Sequence, residues 1–184
     1  MKSIVLSWIL GVGFVVLGGM CTSSVVDAAL PRYQGARVRS GDALLNAQAC
    51  AGEIGFDNHG ACTAIVGVHA RRAARAGMTI GGMARAYSAA IRRPRRLWVV
   101  RLRRDGRRPE TWPSAASWSA HRDRWLALLA HVDAVLRGEV EDPCGAANVM
   151  HYGGPPGVDA ALRGWDQIEC VEDTRQRFYA RGAM

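Results

Sequence analysis

Residues 49–57 read ACAGEIGFD and set one glutamate, Glu53, among alanine, glycine, cysteine and isoleucine. Upstream, DALLNAQACAGE (residues 42–53) carries Leu44, Leu45, Ala47 and Ala51 at roughly helical spacing, with Ile54 just beyond. That spacing predicts a helix, capped by Ser40 or Asp42 and ended by Gly52 and Gly55. Glu53 then falls at a helix C-terminus, where unpaired carbonyls concentrate partial negative charge. Small apolar neighbours thin the water around it. Both effects disfavour a charged carboxylate, the tendency a general acid exploits. Cleavage of a glycosidic bond needs such an acid to protonate the leaving oxygen. The plainer reading is a surface glutamate on the last turn of a helix.

Working outward, GACTAIVGVHARRAARAG (residues 60–77) predicts a second helix. Ala61, Ala64, Ile65 and Val68 share one face, Arg71, Arg72 and Arg75 lie largely on another, and Gly77 is the stop. Thr79 caps a helix through IGGMARAYSAAI (residues 80–91). In residues 92–108 nine arginines follow, and Pro94 forbids one continuous helix there. LWVV (residues 97–100) reads as a short strand or a buried turn, and RDGR (residues 104–107) as a turn. SAASWSAHRDRWLALLAHVDAVLRG (residues 114–138) is the strongest helix: Trp118, Trp125, Leu129, Val132 and Leu136 make its buried face, and Gly138 ends it. Its tryptophans belong to that face; Trp112 lies outside the pattern and reads as core or as a sugar platform. Residues 29–40 and the glycine-rich tail read as irregular. The expected fold is mainly α, with at most a small sheet.

The first 28 residues read as a leader. Lys2 precedes the apolar run IVLSWILGVGFVVLGGM (residues 4–20), and Val26 and Ala28 fit cleavage after Ala28. GGMC at Cys21 is a poor lipoprotein signal, and an uncleaved anchor is the third reading. Cleavage leaves residues 29–184 as one domain in a secreted or periplasmic setting. Four cysteines remain, Cys50, Cys62, Cys144 and Cys170, pointing to two disulfides. Three connectivities are open, and Cys50–Cys62 with Cys144–Cys170 is the most local.

Lys2 is the sole lysine, so the remaining chain opposes 23 arginines to 15 acidic residues. That excess draws a protein to anionic polymers. The arginines from Arg92 to Arg108 are the candidate contact with anionic envelope polymers; a specific nucleic acid is not expected. The bland reading is a solvated basic surface. A Cys–His hydrolase pairing Cys50 or Cys62 with His151 is a rival enzyme. His59, His69, His121, His131 and His151 show no HExxH-type spacing, so neither metal nor cofactor is expected.

CAGEIGFD followed by GACTAIVGVHARR resembles the cell-wall hydrolases related to spore cortex-lytic enzymes and, more broadly, lysozyme-like lytic transglycosylases. Gly60, Ala64, Ile65, Val68 and Arg71 match that pattern, while Ala70 stands where asparagine is usual. RAYS (residues 85–88), GEVEDPCGAANVMHYGG (residues 138–154), Asp159, IEC (residues 168–170) and RFYA (residues 177–180) follow in the family's order. The resemblance implies a lysozyme-like domain that holds peptidoglycan and cleaves its glycan strand, as muramidase-type hydrolase or lytic transglycosylase. Glu53 would be the acid, and Tyr87, Ser88, His151, Tyr152, Gly153 and Asp159 substrate contacts. HYGG reads equally well as a glycine-rich turn held by Cys144, Tyr87 as core, and Asp57 as a turn residue or helix cap rather than a second carboxylate.

Overall fold

Helix α1 (Asp42–Glu53) sits at the centre of the molecule and packs on α2 (His59–Ala76), α3 (Ile80–Tyr87), α4 (Ala89–Arg92) and α5 (Ala115–Leu136). The computed structural model describes residues 31–153, 162, 164–172 and 176–181. Residues 1–28, read above as a leader, and Asp159 lie outside the described residues. A hairpin of β1 (Arg32–Tyr33) and β2 (Ala36–Arg37) precedes α1. After α5, β3 (His151–Gly153), β4 (Trp165–Ile168) and β5 (Arg177–Arg181) form an antiparallel sheet in the order β3-β5-β4. The fold is therefore mainly helical with two small antiparallel sheets.

Alanine decides the packing of α1. Ala43, Ala47, Ala49, Cys50 and Ala51 are all buried, so neighbours approach its backbone closely from several sides. Its N-cap is Gly41, with no side-chain bond; the Asp42 carboxylate instead accepts the Arg39 N–H at 2.9 Å, and Ser40 plays no cap role. Asn58 caps α2 by accepting the Ala61 N–H at 2.9 Å. Gly77 ends α2 at φ 64°, and Thr79 caps α3 through the Gly82 N–H. In α5 the expected face is buried: Trp118, Trp125, Leu129, Val132 and Leu136 are all in the core. Trp112 joins them at 7% exposure, which removes it as a sugar platform.

The lead-in differs from the sequence reading, LWVV takes the turn of its two readings, and α2 carries two partly buried arginines. Residues 33–36 make a tight hairpin, because Gln34 and Gly35 both take positive φ (47° and 81°), the geometry of a two-residue turn between twisted strands. LWVV becomes a 3-10 turn, Val99–Arg101, whose neighbouring carbonyls of Val100 and Leu102 accept from the buried Gln48 amide of α1. Arg71 and Arg72 are half-buried. Arg71 donates to the Val149 carbonyl at 2.6 Å and pairs with Asp142, while Arg72 donates to the Met150 carbonyl at 3.2 Å. Two arginines of α2 thus hold the segment that leads into β3.

Cys50 pairs with Cys62 across a Cα separation of 5.3 Å, and Cys144 with Cys170 across 5.2 Å. The first bridge ties the last turn of α1 to the first turn of α2. It spans the connection that carries Gly55 and Phe56. Replacing both Cys50 and Cys62 with alanine is expected to cost about 3 kcal/mol, because the closed loop no longer restricts the unfolded chain. A denaturant midpoint unchanged from the wild type contradicts this. Among the described residues no helix is long and apolar enough to cross a membrane.

Candidate functional site

Glu53 is the last residue of α1, half-buried, and three neutral donors converge on its carboxylate. Oε1 accepts from the Ser88 hydroxyl at 2.9 Å and from the Ala90 N–H at 3.2 Å. Oε2 accepts from the Gln176 amide at 3.3 Å, and the same amide reaches the Glu53 carbonyl at 3.4 Å. The surroundings are polar, so the apolar niche expected from ACAGEIGFD is corrected to a hydrogen-bonded socket.

Ser88 explains the local chain path. Residues 80–91 were expected as one helix, but Ser88 takes an extended ψ of 124° and divides α3 from α4. Serine commonly caps a helix with its own oxygen. Here the Ser88 side chain makes no cap bond; it turns to Glu53, and Glu53 takes the Ala90 N–H in its place. The carboxylate thereby finishes α4. Ser88 is fully buried and Tyr152 only 5% exposed, and of the two it is Ser88 that reaches Glu53.

A buried polar chain starts at Tyr152. The ionisation of its phenol is pushed up first by burial and then by the charge of Glu53. The phenol lies 3.0 Å from His69 Nε2, and His69 Nδ1 lies 2.8 Å from Asn46 Oδ1. The Asn46 amide nitrogen donates to the Asp42 carbonyl at 2.8 Å, which leaves Oδ1 as the acceptor. His69 therefore carries its proton on Nδ1 and accepts the Tyr152 hydroxyl at Nε2, a tautomer inferred from the network. Full burial, with a smaller contribution from Arg72, lowers the His69 pKa to about 3 and keeps the ring neutral.

Strand register brings the other donors in. Tyr152 of β3 pairs with Phe178 of β5, and Gly153 pairs with Arg177, which places Gln176 at the start of β5 beside β3. Tyr87 is half-buried; its ring lies 5.3 Å from Tyr152 and 5.2 Å from His151, and its hydroxyl accepts the Tyr152 N–H at 3.4 Å. Arg72 covers its face at 4.2 Å. His151 is half-buried, and burial, then Arg72, lower its pKa. Asp57 is turned away to Arg124 on α5, which holds its carboxyl below the usual range; it neither caps α2 nor faces Glu53. All four cysteines of residues 31–181 are bridged, which removes Cys50 and Cys62 as nucleophiles. Among the described residues no group of three or more His, Cys, Asp or Glu is placed to hold a metal ion. A cleft lined by Arg32, Val38, Arg39, Ala43, Leu136 and Glu139 opens at the first turn of α1, the end away from Glu53.

Gly52 keeps the socket closed. A Cβ there would overlap Ala90 Cβ and press on Val99 Cγ1 at 3.1 Å. Alanine in place of a helical glycine ordinarily stabilises by about 1 kcal/mol. Gly52→Ala is instead expected to destabilise by about 1–3 kcal/mol and to pull the Ala90 N–H from Glu53. A raised denaturant midpoint contradicts the packing described here.

No family model, curated protein or solved structure matches the chain.

Proposed function

We propose that this is an exported enzyme that cleaves the glycan strand of peptidoglycan, with Glu53 as general acid. One observation carries the acid assignment. Asp57, Asp105, Glu110, Asp123, Asp133, Glu139 and Asp142 all lie within 4 Å of an arginine. Asp42, Glu141, Asp166, Glu169 and Glu172 are, like Glu53, without an arginine within 4 Å among the described residues, but of these carboxylates Glu53 is the one on which three neutral donors converge, in a chain of net charge +8. A full positive charge beside a carboxylate favours its ionised form more than a neutral donor does. The two disulfides fit an oxidising compartment. The substrate class rests on the resemblance of residues 49–72 and 138–154 to peptidoglycan-cleaving families.

In this reading Glu53 gives its proton to the glycosidic oxygen between N-acetylmuramic acid and N-acetylglucosamine as the C1–O bond breaks. The carboxylate left behind then takes a proton from the incoming nucleophile. Water at C1 yields a reducing end. The muramoyl 6-hydroxyl at C1 yields a 1,6-anhydro end, one water lighter. Mass analysis of fragments released from purified sacculi separates the two outcomes. A preparation that leaves sacculi intact overturns the proposal.

A further inference from the structure

The segment between α4 and the 3-10 turn leaves the site and returns to it. Gly52 abuts Ala90 at one end and Val99 at the other, so residues 91–98 form an excursion anchored at both ends beside Glu53. Pro94 stops α4 from running on. Trp98 pins the return, its ring 5.8 Å from Phe56 and 4.6 Å from Trp112. Arg92, Arg93, Arg95 and Arg96 on this excursion are all exposed. None of them has a carboxylate within 4 Å among the described residues, whereas Arg101, Arg104 and Arg107 further along the basic run do. Leu97, at 57% exposure, is the most open large apolar side chain described. The Ala90 N–H touches Glu53, and the backbone of Arg92 and Arg93 lies within one helical turn of Ala90.

We propose that this basic rim docks the acidic stem peptides carried by the glycan strand, so that the substrate is peptide-bearing rather than bare glycan. The inference rests on the reading of Glu53 as a glycan-cleaving acid. Stem peptides hang from muramic acid beside the scissile bond and present carboxylates a few ångströms from the sugar. Arginine takes carboxylates through two parallel N–H donors, and four unpaired arginines on a pinned excursion offer that fork with little reorganisation. Leu97 covers the aliphatic part of the peptide. Exposed arginines without a carboxylate within 4 Å among the described residues also occur at Arg32, Arg39, Arg75, Arg85 and Arg103, so the rim is marked by its anchoring beside Glu53 and by Leu97 rather than by want of partners.

The test uses the full chain carrying Glu53→Gln, which binds without cutting, sedimented with intact sacculi and with sacculi stripped of stem peptides by an amidase. The triple variant Arg93→Gln, Arg95→Gln, Arg96→Gln removes three charges with no hydrogen bond or ion pair in the structure. A control triple at Arg75, Arg107 and Arg122 removes the same net charge elsewhere. Intact sacculi are expected to bind about tenfold more tightly than stripped ones, the rim triple to lose that difference, and the control triple to keep it. Equal binding to stripped glycan, equal loss in the control triple, or tighter binding to phosphatidylglycerol vesicles than to sacculi overturns the inference. Cleavage by the wild-type chain is scored separately, so loss of this contrast with cleavage intact removes the rim alone, and intact sacculi after digestion remove the reading of Glu53.

Discussion

Glu53→Gln is expected to slow release of glycan fragments by about a hundredfold to ten-thousandfold, the range a positioned general acid contributes. The fold should survive the change. A glutamine oxygen still accepts from the Ser88 hydroxyl and the Ala90 N–H, which are the two shortest bonds to the carboxylate. The new amide nitrogen meets the Gln176 amide, which can rotate to present its oxygen. The melting temperature should therefore shift by a few degrees at most while the rate collapses. Glu53→Asp keeps the charge but shortens the reach by one methylene, drawing the carboxylate away from Ser88 and Ala90. It should also be slow, because proton transfer depends on geometry before acidity. Full activity in either variant, with the protein folded, contradicts the assignment.

Acidification is expected to destabilise the chain from pH 6.5 downward, by about 3 kcal/mol at pH 4 from His69 alone. The sign follows from which state binds the proton. Burial lowers the folded pKa of His69 to about 3, while the unfolded histidine titrates near 6.5. Above pH 6.5 both states are neutral and the contribution is fully present. As pH falls the unfolded chain protonates first, and stability is lost until the folded pKa is passed. His131 and His151 act in the same direction, each lowered first by burial; a neighbouring charge adds to it, from His59 and Arg72 respectively. His69→Gln should flatten the pH dependence between 6.5 and 4, since glutamine does not titrate. Denaturant midpoints that stay level across that range in the wild type contradict the buried, neutral His69.

The start of α3 and the end of α2 were legible because Thr79 caps with its own side chain and Gly77 takes the left-handed conformation, whereas α1 was legible from its apolar spacing alone, since neither Ser40 nor Asp42 caps it. The break at Ser88 was not legible. Nothing in IGGMARAYSAAI announces it, and its cause is Glu53, 35 residues away. The β3-β5-β4 sheet was hidden for a related reason: its strands are short, and β4 has no fully buried position, so little alternation survives to read.

Glu53 itself stood out because a lone carboxylate among small residues at a helix end has few ordinary uses. His69 and Asn46 were missed, although a signal existed. His69 lies four residues from Ile65 and so on the buried face of α2, and Asn46 lies four residues before Cys50 on the buried face of α1. Polar residues on apolar faces require buried partners, and each is the other's partner. Gln176 carried no such mark; only strand pairing brings it to Glu53.

The central claim is that this chain cuts glycan strands and that Glu53 supplies the proton. Its most direct test is to incubate purified sacculi with the wild-type chain and, in parallel, with Glu53→Gln, and to measure the soluble muropeptides by mass. The account predicts fragments with 1,6-anhydro or reducing muramoyl ends from the wild type and almost none from the variant. Intact sacculi after wild-type treatment, or equal release by the two chains, would contradict it.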